Sequence, residues 1–550
     1  MPNQLQTFLL EQHCVKYHHR TWLPLHGLGG PNIGQKSRPS ALFGIEVKVM
    51  TSKGSPLIKN PLSLTGMVLA MVGIATAVVL GILTFTKPEP SPYLSILAWI
   101  AAPGVAYLGI FALVAGLFLE RRRRHRAAPD QVAAHFQIDL NQPGLHRTLY
   151  AVVVTAILLL MGTGVGTYQA YEFTESTAFC AATCHSVMAP ERVTHRISPH
   201  AQVECAACHV GRTPVQYLEA KLYGLKELYL LATNKYPRPI PTPVHVMQPL
   251  RENCANCHWE RIYWGKLHRD YSHYIAANDN QRWTVKMNVK VGGMYRFGGE
   301  GEGIHWHMKI KPKVQYIATD ARLQKIPWVR VVEDGREVIF RSAEDQVSDA
   351  DLVKSPVREM TCVDCHSRPA HQFKAPILAI DDAMARGYID PLLPQVKAKG
   401  VELLAARDYT TQEGGMLAIR ERLLAYYQKQ HPEVFRNQQD KLHRAANALA
   451  TLYQQNFFPE MKSDWRAYPD NIGHFVSDGY FRCHDGLHTN AEGKAISNDC
   501  SLCHEIVVQG PPDATEANPS GLPFRHPIDV GVPIGELGRC TTCHDGTLGG

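Results

Sequence analysis

The chain reads as three N-terminal membrane-spanning helices followed by an exported region, mostly α-helical and irregular, with a small antiparallel β insert. Two observations predict this architecture. Three long stretches carry no charge: Leu62–Thr86 has 25 residues, Ser91–Leu119 has 29 and Thr148–Tyr171 has 24. At 1.5 Å rise per residue, each exceeds the roughly 30 Å hydrocarbon core of a bilayer. Beyond them, seven of the fourteen cysteines are immediately followed by histidine, and five of the seven close an unbroken Cys-x-x-Cys-His.

The five are Cys205-Ala-Ala-Cys208-His209, Cys254-Ala-Asn-Cys257-His258, Cys362-Val-Asp-Cys365-His366, Cys500-Ser-Leu-Cys503-His504 and Cys540-Thr-Thr-Cys543-His544. That pentapeptide is the attachment signal for c-type haem: two thiols add to the vinyl groups and the histidine supplies one axial ligand. At this chain's cysteine and histidine frequencies, chance gives about 0.02 matches. The fold class is therefore a multihaem cytochrome c, in which the haems supply much of the apolar core of the exported region.

Two sites depart from the pattern. Cys180-Ala-Ala-Thr-Cys184-His185 has three residues between its cysteines, and Tyr480-Phe-Arg-Cys483-His484 has tyrosine where the first thiol belongs. The first keeps every reacting group, and a one-residue bulge is absorbed locally. The second either holds haem c through the single thioether of Cys483 or is a degenerate site left empty. The expected count is seven haems, with six as the fallback. Structural zinc takes two Cys-x-x-Cys pairs per ion and asks for no following histidine, so it does not explain the pattern. Cys14 is an unpaired leftover.

Glu120-Arg121-Arg122-Arg123-Arg124-His125-Arg126 follows the second uncharged stretch and, by the positive-inside rule, lies in the cytoplasm. This run is a topology signal and not a nucleic-acid patch. Residues 1–61 then form a cytoplasmic tail, of which 1–49 are not translated if synthesis starts at Met50. Residues 62–119 form a transmembrane hairpin, 120–147 a basic cytoplasmic loop and 148–171 a third span. Pro103-Gly104 is tolerable inside a membrane helix, and Gly162-Thr163-Gly164-Val165-Gly166 suggests close helix packing. Every haem motif falls on the periplasmic side, where c-type haems are attached. The net charge of +7 omits two propionates per haem and argues for no basic binding surface.

The exported part divides into four. Residues 172–265 hold three motifs and a helical segment, Val215–Thr233, that ends at the strap Tyr236-Pro-Arg-Pro-Ile-Pro-Thr-Pro. Residues 266–374 hold the fourth motif and the β insert. Its strands are expected at Arg282–Val291, Val314–Thr319 and Trp328–Arg341, with a hairpin turn at Glu333-Asp334-Gly335-Arg336. Residues 375–463 contain no cysteine and show helical periodicity, as in Gly415–Lys429 and Arg436–Asn456. Residues 464–550 read as loop-like and hold the last three motifs.

The segment Tyr171-Glu-Phe-Thr-Glu-Ser-Thr-Ala-Phe-Cys180 through Cys184-His185-Ser-Val-Met188 resembles the start of the NapC/NirT/NrfH family. So does His195-Arg-Ile-Ser-Pro-His200-Ala-Gln-Val-Glu-Cys205-Ala-Ala-Cys208-His209-Val-Gly. The resemblance covers about residues 147–260. It implies a membrane-anchored quinol dehydrogenase that passes electrons to a periplasmic reductase or cytochrome, with Met188 as a sulfur ligand of the first haem. Family members typically have one anchoring helix and four or five haems, and their methionine stands one residue closer to the motif. Later stretches, such as Gly303-Ile-His305-Trp-His307 and Asn471-Ile-Gly-His474-Phe, resemble larger NapC/NirT-like chains and name no substrate.

Axial ligands decide between transfer and catalysis, because a haem with an open face binds substrate. From Glu172 onward there are 20 histidines, and seven of them are proximal. The 13 that remain outnumber the distal positions. Those near motifs are His195, His200, His245, His273, His305, His307, His371, His474, His488 and His526, of which His474 and His488 flank the Tyr480 site. His431 and His443 fall in the helical part and read as surface residues. Supply exceeds demand, and the lysine-ligated Cys-x-x-Cys-Lys motif of multihaem nitrite reductases is absent, so no reductase site is visible.

The expected function is an electron conduit from membrane quinol to a periplasmic acceptor, with quinol oxidised near Tyr171–Met188. Glu172, Glu175 and Glu191 are candidate proton acceptors there. The alternatives are a terminal reductase of a small nitrogen or sulfur oxyanion, and an electron-transfer subunit of a larger respiratory complex.

Overall fold

The computed structural model describes residues 60–86, 98, 101–127, 161–162, 164–166, 168–183, 187–210, 214–242, 250–258, 265–277, 279–292, 303–308, 313–532 and 538–548. The N-terminal tail, most of the basic loop, the first part of the third uncharged stretch, Cys184, His185 and His245 lie outside the described residues.

Helix α1 spans Pro61–Thr86 and α2 spans Ala102–Ala127. Both are long and apolar enough to cross a membrane. Asn60 starts α1 by accepting the Leu62 N–H at 2.7 Å, with Pro61 in the first turn. Residues 98 and 101 have the wide π-helical turn that accommodates Pro103. The two helices pack through small residues. A Cβ at Gly73 would stand 2.5 Å from the Ala106 nitrogen, and one at Gly116 would stand 2.5 Å from Ser63 Oγ. The glycines at 162 and 164, expected in such an interface, have nothing within 4 Å of a Cβ position among the described residues. Among the described residues, close packing is seen between the first two helices. The arginine run, expected as loop, continues α2 as helix to Ala127. Of the third stretch, the described members of 161–175 are helical.

Helix α3, Pro214–Ala232, follows the second motif. Strands β1 (Lys266–Tyr274), β2 (Arg282–Lys290), β8 (His504–Gly510) and β9 (Glu516–Leu522) form one antiparallel sheet in the order β1-β2-β8-β9. A second antiparallel sheet has the order β6-β3-β4-β5-β7, from β3 (Lys313–Ile317), β4 (Trp328–Glu333), β5 (Arg336–Ser342), β6 (Arg358–Glu359) and β7 (His488–Thr489). Between β4 and β5, Asp334 and Gly335 both have positive φ, 49° and 79°, as a two-residue hairpin turn requires. The expectation of one small insert is corrected in extent. Among the described residues there are two sheets, and the C-terminal region expected to be loop-like contributes three of their strands. The sheets also aim the motifs: β6 leads into Cys362, β7 follows His484 and β8 begins at His504.

Helices α4 (Pro376–Ala385), α5 (Val396–Ala405), α6 (Gln412–Gln430) and α7 (Gln439–Asn456) form the cysteine-free part. On α6 the buried positions are Gly415, Ile419, Leu423 and Tyr427, a four-residue repeat that makes one stripe. Thr411 caps its start by accepting the Gly414 N–H at 3.1 Å. The α7 stripe, Leu442, Leu449 and Tyr453 among others, packs on it in the largest core cluster.

Candidate haem-binding site

Each described pentapeptide is a single helical turn. The N–H of the histidine donates to the carbonyl of the first motif residue in Cys254/His258 (2.8 Å), Cys362/His366 (2.8 Å), Tyr480/His484 (2.9 Å) and Cys540/His544 (2.9 Å). Positions i, i+3 and i+4 share a helix face, so this turn presents two thiols and an imidazole to one side. The Tyr480 site keeps the turn although it lacks the first thiol. A capping box at Thr361 and Asp364 fixes the start of the fourth motif.

Each of the six described motif histidines faces a second histidine. The ring centroids are 6.3 Å apart for His209 and His371, 5.8 Å for His258 and His200, and 6.2 Å for His366 and His305. They are 5.8 Å apart for His484 and His307, 6.3 Å for His504 and His474, and 6.1 Å for His544 and His526. A metal–imidazole bond is about 2 Å, and each ring centre lies about 1 Å behind its nitrogen, so two imidazoles on one iron stand about 6 Å apart. The spacing fits a metal between the rings, and it is too long for direct hydrogen bonding or stacking.

The protonation states agree with ligation. Nδ1 of His305, His307, His371, His484 and His526 meets the carbonyls of Val291 (3.0 Å), Ile304 (3.2 Å), Glu191 (3.0 Å), Ser497 (2.8 Å) and Ile528 (2.8 Å). An Nδ1–H donated to a carbonyl leaves the Nε2 lone pair to bind a metal. Burial pushes His307 and His474 down to about 4 and His371 to about 3, and it lowers His209, His305, His366, His504 and His544 as well. Neutral imidazole is the ligating form.

Motifs three to seven open on one cavity of about 2380 Å³, with walls that include Trp283, Val329 and Phe340. A single small-molecule pocket is about 300–1,000 Å³, so this volume suits several large planar groups. Among the described residues, no three histidine, cysteine, aspartate or glutamate side chains converge to hold a bare ion. The twelve described motif cysteines are free thiols. The residues present therefore fit haem c and do not fit zinc.

Neighbouring motifs touch. Cys180 hydrogen-bonds Cys205, and Cys254 hydrogen-bonds Cys362. Cys208 lies close enough to Cys257 to feel its charge, as does Cys365 to Cys503, Cys483 to Cys365 and Cys540 to Cys500. Glu204 fastens the first two motifs by accepting the Thr177 hydroxyl at 2.5 Å and the Thr177 N–H at 2.6 Å, and these bonds hold its carboxyl below the usual range.

Several candidate ligands have other contacts among the described residues. His488, offered for the Tyr480 site, has both ring nitrogens occupied, by Asp485 Oδ1 at 2.9 Å and the Ile326 carbonyl at 2.7 Å. His474 faces the sixth motif and not the fifth, whose partner is His307. His195 is buried with Nε2 against the Val203 carbonyl at 3.0 Å and faces no motif histidine among the described residues. His273 binds Asp381 through Nδ1 at 3.1 Å. Met188 precedes the helix Ala189–Ile197, and its expected partner His185 is outside the described residues. One residue went unnoticed in the sequence: Lys221 pairs with Glu175 beside Cys180. Its signal was a lysine set beside the apolar stripe of α3.

Residues 143–263 match the model of the NapC/NirT cytochrome c family, N-terminal region. The chain is 35% identical over 489 residues to the cytochrome c-type protein ImcH of Geobacter sulfurreducens, covering 88% of this chain and 95% of that one. It is also 28% identical over 88 residues to the cytochrome c nitrite reductase subunit NrfH of Nitratidesulfovibrio vulgaris, covering 16% of this chain and 54% of that one. No solved structure matches.

Proposed function

Because the chain belongs to the NapC/NirT family of membrane-type c-type cytochromes, we propose that it oxidises membrane quinol at the outer face of the bilayer and conducts the electrons to a periplasmic acceptor. Family membership brings covalently attached haem c, whose iron cycles between ferric and ferrous and carries one electron at a time. Seven attachment sites are proposed, at the seven Cys-His positions, with a single thioether to Cys483 in the fifth. The facing of His484 by His307 supports that count.

The observation that carries this reading is the set of six facing imidazole pairs on motifs that adjoin one another from Cys180 to Cys540. A conduit needs doubly ligated, closely spaced centres, and these side chains hold and orient them. A terminal reductase of a nitrogen or sulfur oxyanion needs a motif histidine with nothing opposite. Among the described residues every motif histidine is faced. Quinol entry is assigned to the first motif, where Glu175 is drawn against Lys221 beside Cys180. Glu172 is exposed, and Glu191 is tied to Arg368 at 2.9 Å. Of the three carboxylates, Glu175 is the one that stands beside Cys180, and it is assigned to take a proton at its Oε atoms as quinol is oxidised. A third span at 148–171, with the motifs in the periplasm, completes the proposed topology.

Replacing Cys180 and Cys184 together by alanine tests the reading. Quinol oxidation is expected to disappear while dithionite still reduces the remaining haems. Unchanged quinol turnover rejects the entry site, and pyridine haemochrome absorbance of the parent protein gives the haem count.

A further inference from the structure

Helix α3 turns much of its apolar surface outward. Val215, Leu218, Leu222, Leu225 and Tyr229 are each 57–66% exposed. They recur at +3, +7, +10 and +14 from Val215, which is one face of an α-helix. Two charged groups are engaged away from the stripe: Lys221 pairs with Glu175, and Glu227 meets the Tyr223 hydroxyl one turn earlier on the same helix. The exposed charges, Glu219 and Lys226, lie together along one border of the stripe. A water-facing helix has the opposite arrangement, and a contiguous apolar face of this kind marks a contact surface.

The surroundings say what it contacts. The Tyr217 ring lies 6.1 Å from Tyr171, and Lys221 meets Glu175, so α3 is fastened to the segment 168–175 that closes the third uncharged stretch. That segment and the described residues just before it are exposed and apolar at Met161, Val165, Tyr168 and Tyr171. The apolar face of α3 is thus continuous with a surface of membrane character.

We propose that α3 lies along the outer surface of the bilayer crossed by α1 and α2, with its five-residue stripe sunk at the headgroup–acyl boundary. An interfacial helix has this design, with an apolar stripe bordered by charge and tyrosines at headgroup depth. The inference rests on the membrane-anchored reading above and deepens it. Because Lys221 and Glu175 adjoin Cys180, a lipid-seated α3 brings the first motif down to the depth at which a lipid-soluble donor travels.

The test is photo-crosslinking of the full-length holoprotein in nanodiscs of phosphatidylethanolamine and phosphatidylglycerol with alkyne-tagged acyl chains. Benzoylphenylalanine replaces Leu222, Leu225 or Tyr229. Phe111, 73% exposed on α2, serves as the membrane reference and Leu417, 58% exposed on α6, as the aqueous one. Lipid adducts at the three α3 positions are expected at no less than tenfold the yield at Leu417. Adducts at Phe111 but not on α3 overturn the proposal and leave the membrane reading standing. Protein–protein products at the three positions assign the stripe to a second copy and overturn it equally. Absence of adducts at Phe111 as well overturns both. Three separate positions, of which Tyr229 is nearly isosteric with the probe, keep the result decisive if one substitution spoils assembly.

Discussion

The cysteine-free helices and the motif-lined cavity solve the problem of burial in different ways. In α4–α7 the chain makes its own interior: Ile380, Ile419, Leu423, Leu442 and Leu449 are all fully buried in one cluster. Around the motifs, the described side chains make two small clusters, Val314, Tyr316, Ile326 and Val329 under one sheet and Trp283, Val285 and Ile506 under the other. Both sheets then contribute walls to the shared cavity of about 2380 Å³. Apolar residues suffice where no cofactor is signalled. Where cysteine and histidine crowd together, the side chains line a cavity instead, which the macrocycles of the proposed haems would fill.

The largest expected effect lies on the seam between the two regions. Lys397 Nζ binds Asp381 Oδ1 at 2.6 Å, and both side chains are almost wholly buried. Asp381 also accepts the Tyr274 N–H at 3.1 Å, which ties α4 to β1. Asp381→Ala strands a buried ammonium and is expected to cost about 3–5 kcal/mol, read by urea unfolding in far-ultraviolet circular dichroism. A loss under about 1 kcal/mol would mean that the regions are not joined there. Inside the helical region, Leu423→Ala is expected to cost about 2–5 kcal/mol through the cavity it leaves, with haem per chain unchanged. Loss of haem from that variant would show that the two interiors are one.

A third substitution acts the other way. His307→Ala is expected to change stability by no more than about 1–2 kcal/mol while altering the spectrum. The fifth motif loses its facing imidazole, and a high-spin ferric signal appears in electron paramagnetic resonance. The rings of His307 and His484 are nearly perpendicular at 85°, whereas His305/His366 and His474/His504 are nearly parallel at 4° and 7°. Perpendicular axial planes leave the iron d orbitals close to degenerate, so the most anisotropic low-spin signal should vanish in this variant and the rhombic ones persist. If no low-spin signal changes, His307 is not a ligand.

The same division governs how much the sequence disclosed. The motif turn was legible because i, i+3 and i+4 fix their own geometry, and the Asp334–Gly335 hairpin and the α6 and α7 stripes were legible because they are local. Pairings were not. His200 faces His258 rather than a neighbour in sequence, and His307 reaches His484 across 177 positions. Proximity along the chain therefore drew attention to His474 and His488 beside the Tyr480 site, whereas the ring that faces His484 is His307. Strand β1 escaped because Lys266-Leu-His-Arg-Asp-Tyr is exposed on both faces and has no alternation to read. Strand β9 contains Asn-Pro-Ser-Gly and forms only because β8, itself paired with β2, offers an edge.

The smallest expected effect separates charge from packing within the helical region. Asp390 accepts from Lys441 Nζ at 2.8 Å and from the Leu392 N–H at 2.9 Å. Burial by itself raises its carboxyl, but these two donors outweigh burial and hold it below the ordinary carboxylate range. A carboxyl depressed in the folded state adds stability that is fully present above its unfolded pKa, near 3.9 (about the value in model peptides). That stability is lost as pH falls through the folded value. For a partly exposed pair the contribution is about 0.2–1 kcal/mol, and salt screens it. Asp390→Asn should therefore lower the urea midpoint slightly at pH 7, less at high salt, and by a shrinking amount as pH is lowered toward 3. The Soret band should be unchanged throughout, since no motif touches the pair. A cost that stays constant with pH would assign the role of Asp390 to shape. A Soret change would show that even this remote helix end is coupled to the haem-bearing region.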